Sequence, residues 1–139
     1  MVEQTVCYEG VTYQLMEEPV HKLDDLEYVR VFHYYDVPLT FTMRAKDTGQ
    51  LYFFNYVDYS DGWNLYIQVP ITEDAYNRFV NGELTINGLL RGVEGQAVHY
   101  ILSGGNTLQY LKREVGIPQA HYTEREDCYI TDEDDYTLY

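Results

Sequence analysis

Positive charge is what this sequence has least of: nine lysines and arginines stand against 23 aspartates and glutamates, a formal net charge of -14 over 139 residues. A surface so short of cations repels nucleic acid and anionic membranes at long range and attracts basic surfaces, which argues against direct DNA or RNA binding. Cysteine is nearly absent. Cys7 and Cys128 lie near opposite ends with no CxxC spacing, so neither a redox motif nor a zinc site is spelled out. No apolar run reaches membrane-spanning length, and MVEQTVCYEG has neither the basic start nor the apolar stretch of a signal peptide. The expectation is a soluble chain of a reducing cytoplasm, away from membranes, with both thiols free.

The usual signatures of chemistry are missing too. His21, His33, His99 and His121 stand far apart, without HxxxH or HExxH. The acidic run DEDD lacks the glycine and closing bidentate Glu of a calcium loop. There is no GxSxG elbow for a serine nucleophile. Paired acids such as Glu17-Glu18, Asp24-Asp25 and Glu73-Asp74 read as solvated or capping carboxylates. No catalytic residue, metal or cofactor is expected.

What the chain does have is tyrosine, sixteen of them. Tyrosine buries its ring while its hydroxyl stays wet, which suits half-exposed sheets and contact surfaces. Apolar alternation in VTYQLM after Gly10 suggests an N-terminal hairpin, and LEYVRVFHYY reads as a further strand. Between them EPVHKLDDL is a connection with room for a helical turn. Residues 38–70 read as a three-stranded antiparallel meander broken at KDTGQ and YSDGW, where Asp-Gly and Thr-Gly supply tight turns. LYFFNYV, apolar on both sides, should lie centrally with its second face covered.

After Pro70 the period changes. Thr72 caps an amphipathic helix over about 72–81, and Thr85 can cap a second in TINGLLRG. QAVHYILSGG reads as a strand, and Leu108, Leu111 and Val115 in NTLQYLKREVG fall at helical spacing. The fold expected is therefore α+β: an antiparallel sheet of five or six strands with two or three short helices on one face. It occupies residues 1–121. An acidic, Tyr-rich segment, 122–139, follows.

The stretch from YYDVPLTF through DTGQLYFFNYVD to WNLYIQVPITEDAYNRFVNGELTINGLLRG resembles an uncharacterised family of small prokaryotic and phage domains. The likeness covers residues 34–92 and rests on an Asp-x-Pro-Leu-x-Phe strand, a Gly-turn hairpin, a Pro-Ile-Thr strand exit and a Gly-containing second helix. It implies a fold and no activity. Where many members carry Leu-Arg-Asp, this chain has Asn87-Gly88-Leu89.

Two kinds of site suggest themselves. The first is the acidic segment, where Asp132, Glu133, Asp134 and Asp135 stand in a row, flanked by Glu124, Glu126 and Asp127 and interleaved with Tyr129, Tyr136 and Tyr139. Carboxylates can occupy phosphate positions on a basic protein while tyrosines stack on guanidinium groups. The expected function is a non-enzymatic acidic protein-binding domain, such as a phage or mobile-element inhibitor that covers the nucleic-acid-binding surface of a host defence protein. The second is a small-ligand or nucleotide pocket between sheet and helices. Ser103, Gly104, Gly105 and Asn106 would hold an anion at a helix N-terminus, Trp63 and Tyr66 would line the walls, and Arg78, Arg91, Lys112 and Arg113 would have to converge. The loop lacks the lysine of GxxxxGK[ST] and the spacing of GxGxxG.

Overall fold

The computed structural model describes residues 4–35, 37–114 and 116–123. Among these, eight strands form one sheet: β1 Thr5–Tyr8, β2 Val11–Met16, β3 Leu26–Tyr35, β4 Val37–Ala45, β5 Leu51–Ser60, β6 Trp63–Ile71, β7 Val98–Gly104 and β8 Thr107–Arg113. Their order across the sheet is β1-β2-β8-β7-β6-β5-β4-β3, every neighbour antiparallel. Two α-helices, α1 Glu73–Val80 and α2 Ile86–Leu90, fall between β6 and β7.

Local chemistry sets the hairpins. β5 and β6 turn at Asp61-Gly62, both at positive φ, between the paired residues Ser60 and Trp63. That is the geometry a two-residue hairpin needs to match the twist of its strands, and Asp-Gly adopts it at little cost. Thr72 caps α1, its hydroxyl accepting from the Ala75 amide at 3.0 Å. Thr85 caps α2 in the same way through the Gly88 amide at 2.9 Å.

The expected α+β fold of five or six strands with two or three helices is overturned: the described residues form one large antiparallel sheet of eight strands with two short α-helices. The described residues of NTLQYLKREVG form no helix. Thr107–Arg113 is β8, hydrogen-bonded to β7 on one side and to the N-terminal strand β2 on the other. The helical spacing of Leu108, Leu111 and Val115 was the weaker signal. In the strand Leu111 is fully buried while Leu108, one pleat face away, is 41% exposed. Pairing on both sides gives this segment more backbone hydrogen bonds than a marginal seven-residue helix could hold.

The two sheet faces carry separate cores. Leu51 and Phe53 of β5, Leu65, Ile67 and Val69 of β6, and Tyr100 and Leu102 of β7 face the helices. There Phe79 of α1 makes edge-to-face contacts with Phe32 and Phe53, at 5.2 and 5.1 Å between centroids. The alternate residues Phe41, Phe54, Tyr66 and Ile101 form a second cluster, with Phe41 stacked on Phe54 at 4.8 Å. Since β2 and β3 occupy distant places in the sheet, the chain between them must cross. Residues 17–25 make that crossing over the second cluster, where Leu23 packs and its amide donates to the Tyr110 hydroxyl at 2.9 Å.

Candidate functional site

The crossing connector places one buried imidazole. His21 is 7% exposed, with Nε2 at 2.9 Å from Asp47 Oδ1 and Nδ1 at 2.7 Å from the Tyr52 hydroxyl. A carboxylate only accepts, so in the neutral ring Nε2 carries the proton and Nδ1 accepts from Tyr52. Asp47 comes from the Lys46–Gln50 turn between β4 and β5, and Tyr52 from the first residues of β5. Partial desolvation acts upward on the Asp47 carboxyl, but the His21 hydrogen bond and charge outweigh it and hold it below its ordinary range. Burial, then the charge of Asp47, pushes the Tyr52 phenol up. The trio therefore keeps Tyr52 protonated and oriented, which suits hydrogen bonding and not nucleophilic attack.

Two adjoining hollows share His21, Tyr52, Gln50, Val20 and Pro70. The wider, about 710 Å³, opens beside Thr72 and Glu73, and the more enclosed, about 340 Å³, runs back to Gln68, Gln96 and His99. Burial, then the nearby Lys112, pulls His99 down, so that imidazole stays neutral. On the rim Arg44 pairs with Glu73 at 2.8 Å. No motif links His21 to Asp47, 26 residues apart. In the sequence His21 stands in the connection EPVHKLDDL and Asp47 in the turn KDTGQ, with nothing to pair them.

Elsewhere the ends of the β1–β2 and β5–β6 hairpins bring acid together. Glu9, Asp58 and Asp61 surround Tyr8, whose phenol is pushed up to about 12 by burial first and by these carboxylates next. A hollow of about 310 Å³ is lined by Tyr8, Glu9, Asp58 and His121. His121 lies 2.8 Å from the Tyr100 hydroxyl, and burial, then Arg113, brings it down to about 4. Two residues later Thr123 is tied to α2, its amide donating to Asn87 Oδ1 at 2.8 Å and its carbonyl accepting from Asn87 Nδ2 at 3.4 Å.

The sequence-derived candidates fare unevenly. Glu124, Glu126, Asp127, Tyr129, Asp132, Glu133, Asp134, Asp135, Tyr136 and Tyr139 lie outside the described residues. Ser103 and Gly104 end β7 and Gly105-Asn106 is the turn into β8, so strand follows where a helix N-terminus was expected. Trp63 and Tyr66 point to opposite faces and share no pocket: Trp63 packs with the helix-side core, and the Tyr66 hydroxyl donates to the Pro38 carbonyl at 2.9 Å. Lys112 and Arg113, successive on β8, likewise face opposite ways. The basic residues therefore do not form one cluster.

Known proteins offer no guide here. No protein family, curated protein or solved structure matches the chain. No helix among the described residues is long and apolar enough to cross a membrane.

Proposed function

We propose that this chain is a binding domain without chemistry of its own, and that its partner is a basic protein surface of the kind that otherwise holds phosphates. One observation carries the reading. Described carboxylates number 14, and only Asp47, Glu73 and Glu114 are in salt bridges among the described residues. Glu9, Asp58 and Asp61 are among those left without a cation, and they gather around Tyr8, with Tyr59, 59% exposed, next to Asp58 in the chain.

Unpaired acids at a rim are unfavourable neighbours, and a folded protein relieves that repulsion by binding cations or a basic surface. The placement of His121 adds to this. It shares a hollow with Glu9 and Asp58, and the sequence that follows Thr123 holds seven acids against Arg125. An inhibitor that occupies a partner's nucleic-acid groove needs such a combination of charge and exposed tyrosine.

An Arg-rich peptide and a duplex-DNA-binding protein domain of high pI serve as test ligands. Association should weaken steeply between low and moderate salt and should be displaced by duplex DNA. Binding that is indifferent to salt, or unaffected by competing DNA, would contradict the proposal.

A further inference from the structure

The enclosed hollow beside His21 has a chemistry that the acidic rim does not share. Its polar lining is made of the Gln50, Gln68 and Gln96 amides, the two imidazoles His21 and His99, and the Tyr52 hydroxyl. Gln68 is 8% exposed, and its amide makes no hydrogen bond among the described residues. Gln50 is fixed by donating Nε2 to the Leu51 and Ile71 carbonyls, at 2.9 and 3.1 Å, which leaves its Oε1 free. Tyr52 spends its proton on His21 and keeps an acceptor lone pair. The other walls are apolar, from Pro19, Val20, Pro70 and Val93.

We infer that this hollow is a binding site for an uncharged, flat nitrogen heterocycle, a nucleobase or nucleoside. A glutamine amide presents a donor beside an acceptor, the pattern that engages a base edge with the complementary pair. Apolar walls suit the faces of such a ring, and about 340 Å³ falls in the range of small-molecule pockets. Phosphate is disfavoured. Asp47 stands at the entrance on His21, Arg44 is neutralised by Glu73, and Lys112, the cation nearest His99, is held by Glu114 at 3.1 Å.

The test uses the full chain with free bases, nucleosides and the matching 5′-monophosphates, read by thermal shift and by amide NMR. At least one base or nucleoside should raise Tm in proportion to the logarithm of its concentration, and its monophosphate should bind about tenfold more weakly or worse. The same compound should move the Gln68 side-chain amide and His99 resonances of the unmodified protein, a readout that needs no variant. Gln68→Met, close in volume, should abolish the shift while the Trp63 emission spectrum stays as in the parent. The inference is overturned if no uncharged member of the panel perturbs Gln68, if monophosphates bind as tightly, or if Gln68→Met binds unchanged.

Discussion

The indole of Trp63 lies directly over Gly104 of the neighbouring strand: a β-carbon at that glycine would come within 2.5 Å of the ring. The sequence suggests an anion loop at Gly104; in the structure this glycine leaves room for the one tryptophan. Gly104→Ala forces the ring or the strand aside. It should cost about 1–3 kcal/mol in urea unfolding and shift Trp63 emission, as overpacking of a well-filled core does. Unchanged stability and emission would show that the ring has space to move.

Thr42 points the other way. It is fully buried against the helix-side core, opposite Phe53, and its hydroxyl finds no hydrogen-bond partner among the described residues. Replacing that hydroxyl by a methyl removes a desolvated polar group and keeps the shape. Thr42→Val should therefore stabilise by about 1 kcal/mol, seen as a higher urea midpoint at constant slope. A loss of stability would mean that the hydroxyl is satisfied in solution.

Acid should weaken the fold through His121. An unfolded histidine titrates near 6.5, whereas this one is brought down to about 4. Between those values the unfolded chain takes up a proton that the folded chain refuses. Stability from this source is complete above the unfolded value and falls away as pH drops toward 4, by on the order of 2 kcal/mol with its partial exposure allowed for. Burial and Lys112 pull His99 the same way. His121→Gln, which can still accept from Tyr100, should flatten the profile between pH 6.5 and 4; parallel profiles for the two proteins would locate the titration elsewhere.

Asn87 is fully buried in α2, and its amide brackets the backbone of Thr123 on both sides. Asn87→Ala removes that bracket. Amide exchange at Thr123 should accelerate by at least tenfold, with a loss of about 1–3 kcal/mol in global stability from the partners left unmade. Protection that persists at Thr123 would assign the anchoring to Tyr122 and its contacts alone.

Much of this architecture is legible as pattern. Thr72 and Thr85 announce their helices because a side-chain oxygen must satisfy amides that the first turn leaves free, and Asp61-Gly62 announces its hairpin through backbone conformation. β8 is not legible in the same way. Seven residues with Leu108 and Leu111 three apart fit either period, and the decision comes from β2, almost a hundred residues earlier in the chain. The His21 site is harder still. Its members come from a connector, a turn and a strand, and only the crossing of the sheet face by residues 17–25 brings them together.

The most direct measurement compares two charge-neutralised proteins for binding to the same basic partner at low salt. One carries Glu9→Gln, Asp58→Asn and Asp61→Asn at the hairpin end; the other carries Asp74→Asn, Glu83→Gln and Glu94→Gln, which are also outside salt bridges but belong to the helical region. Both lose three charges, so a purely global attraction predicts equal losses. The proposed function predicts at least a tenfold greater loss of affinity for the hairpin-end variant, and a further loss when Asp132, Glu133, Asp134 and Asp135 are all changed to Asn. Equal weakening of the two, or none in the first, would contradict it.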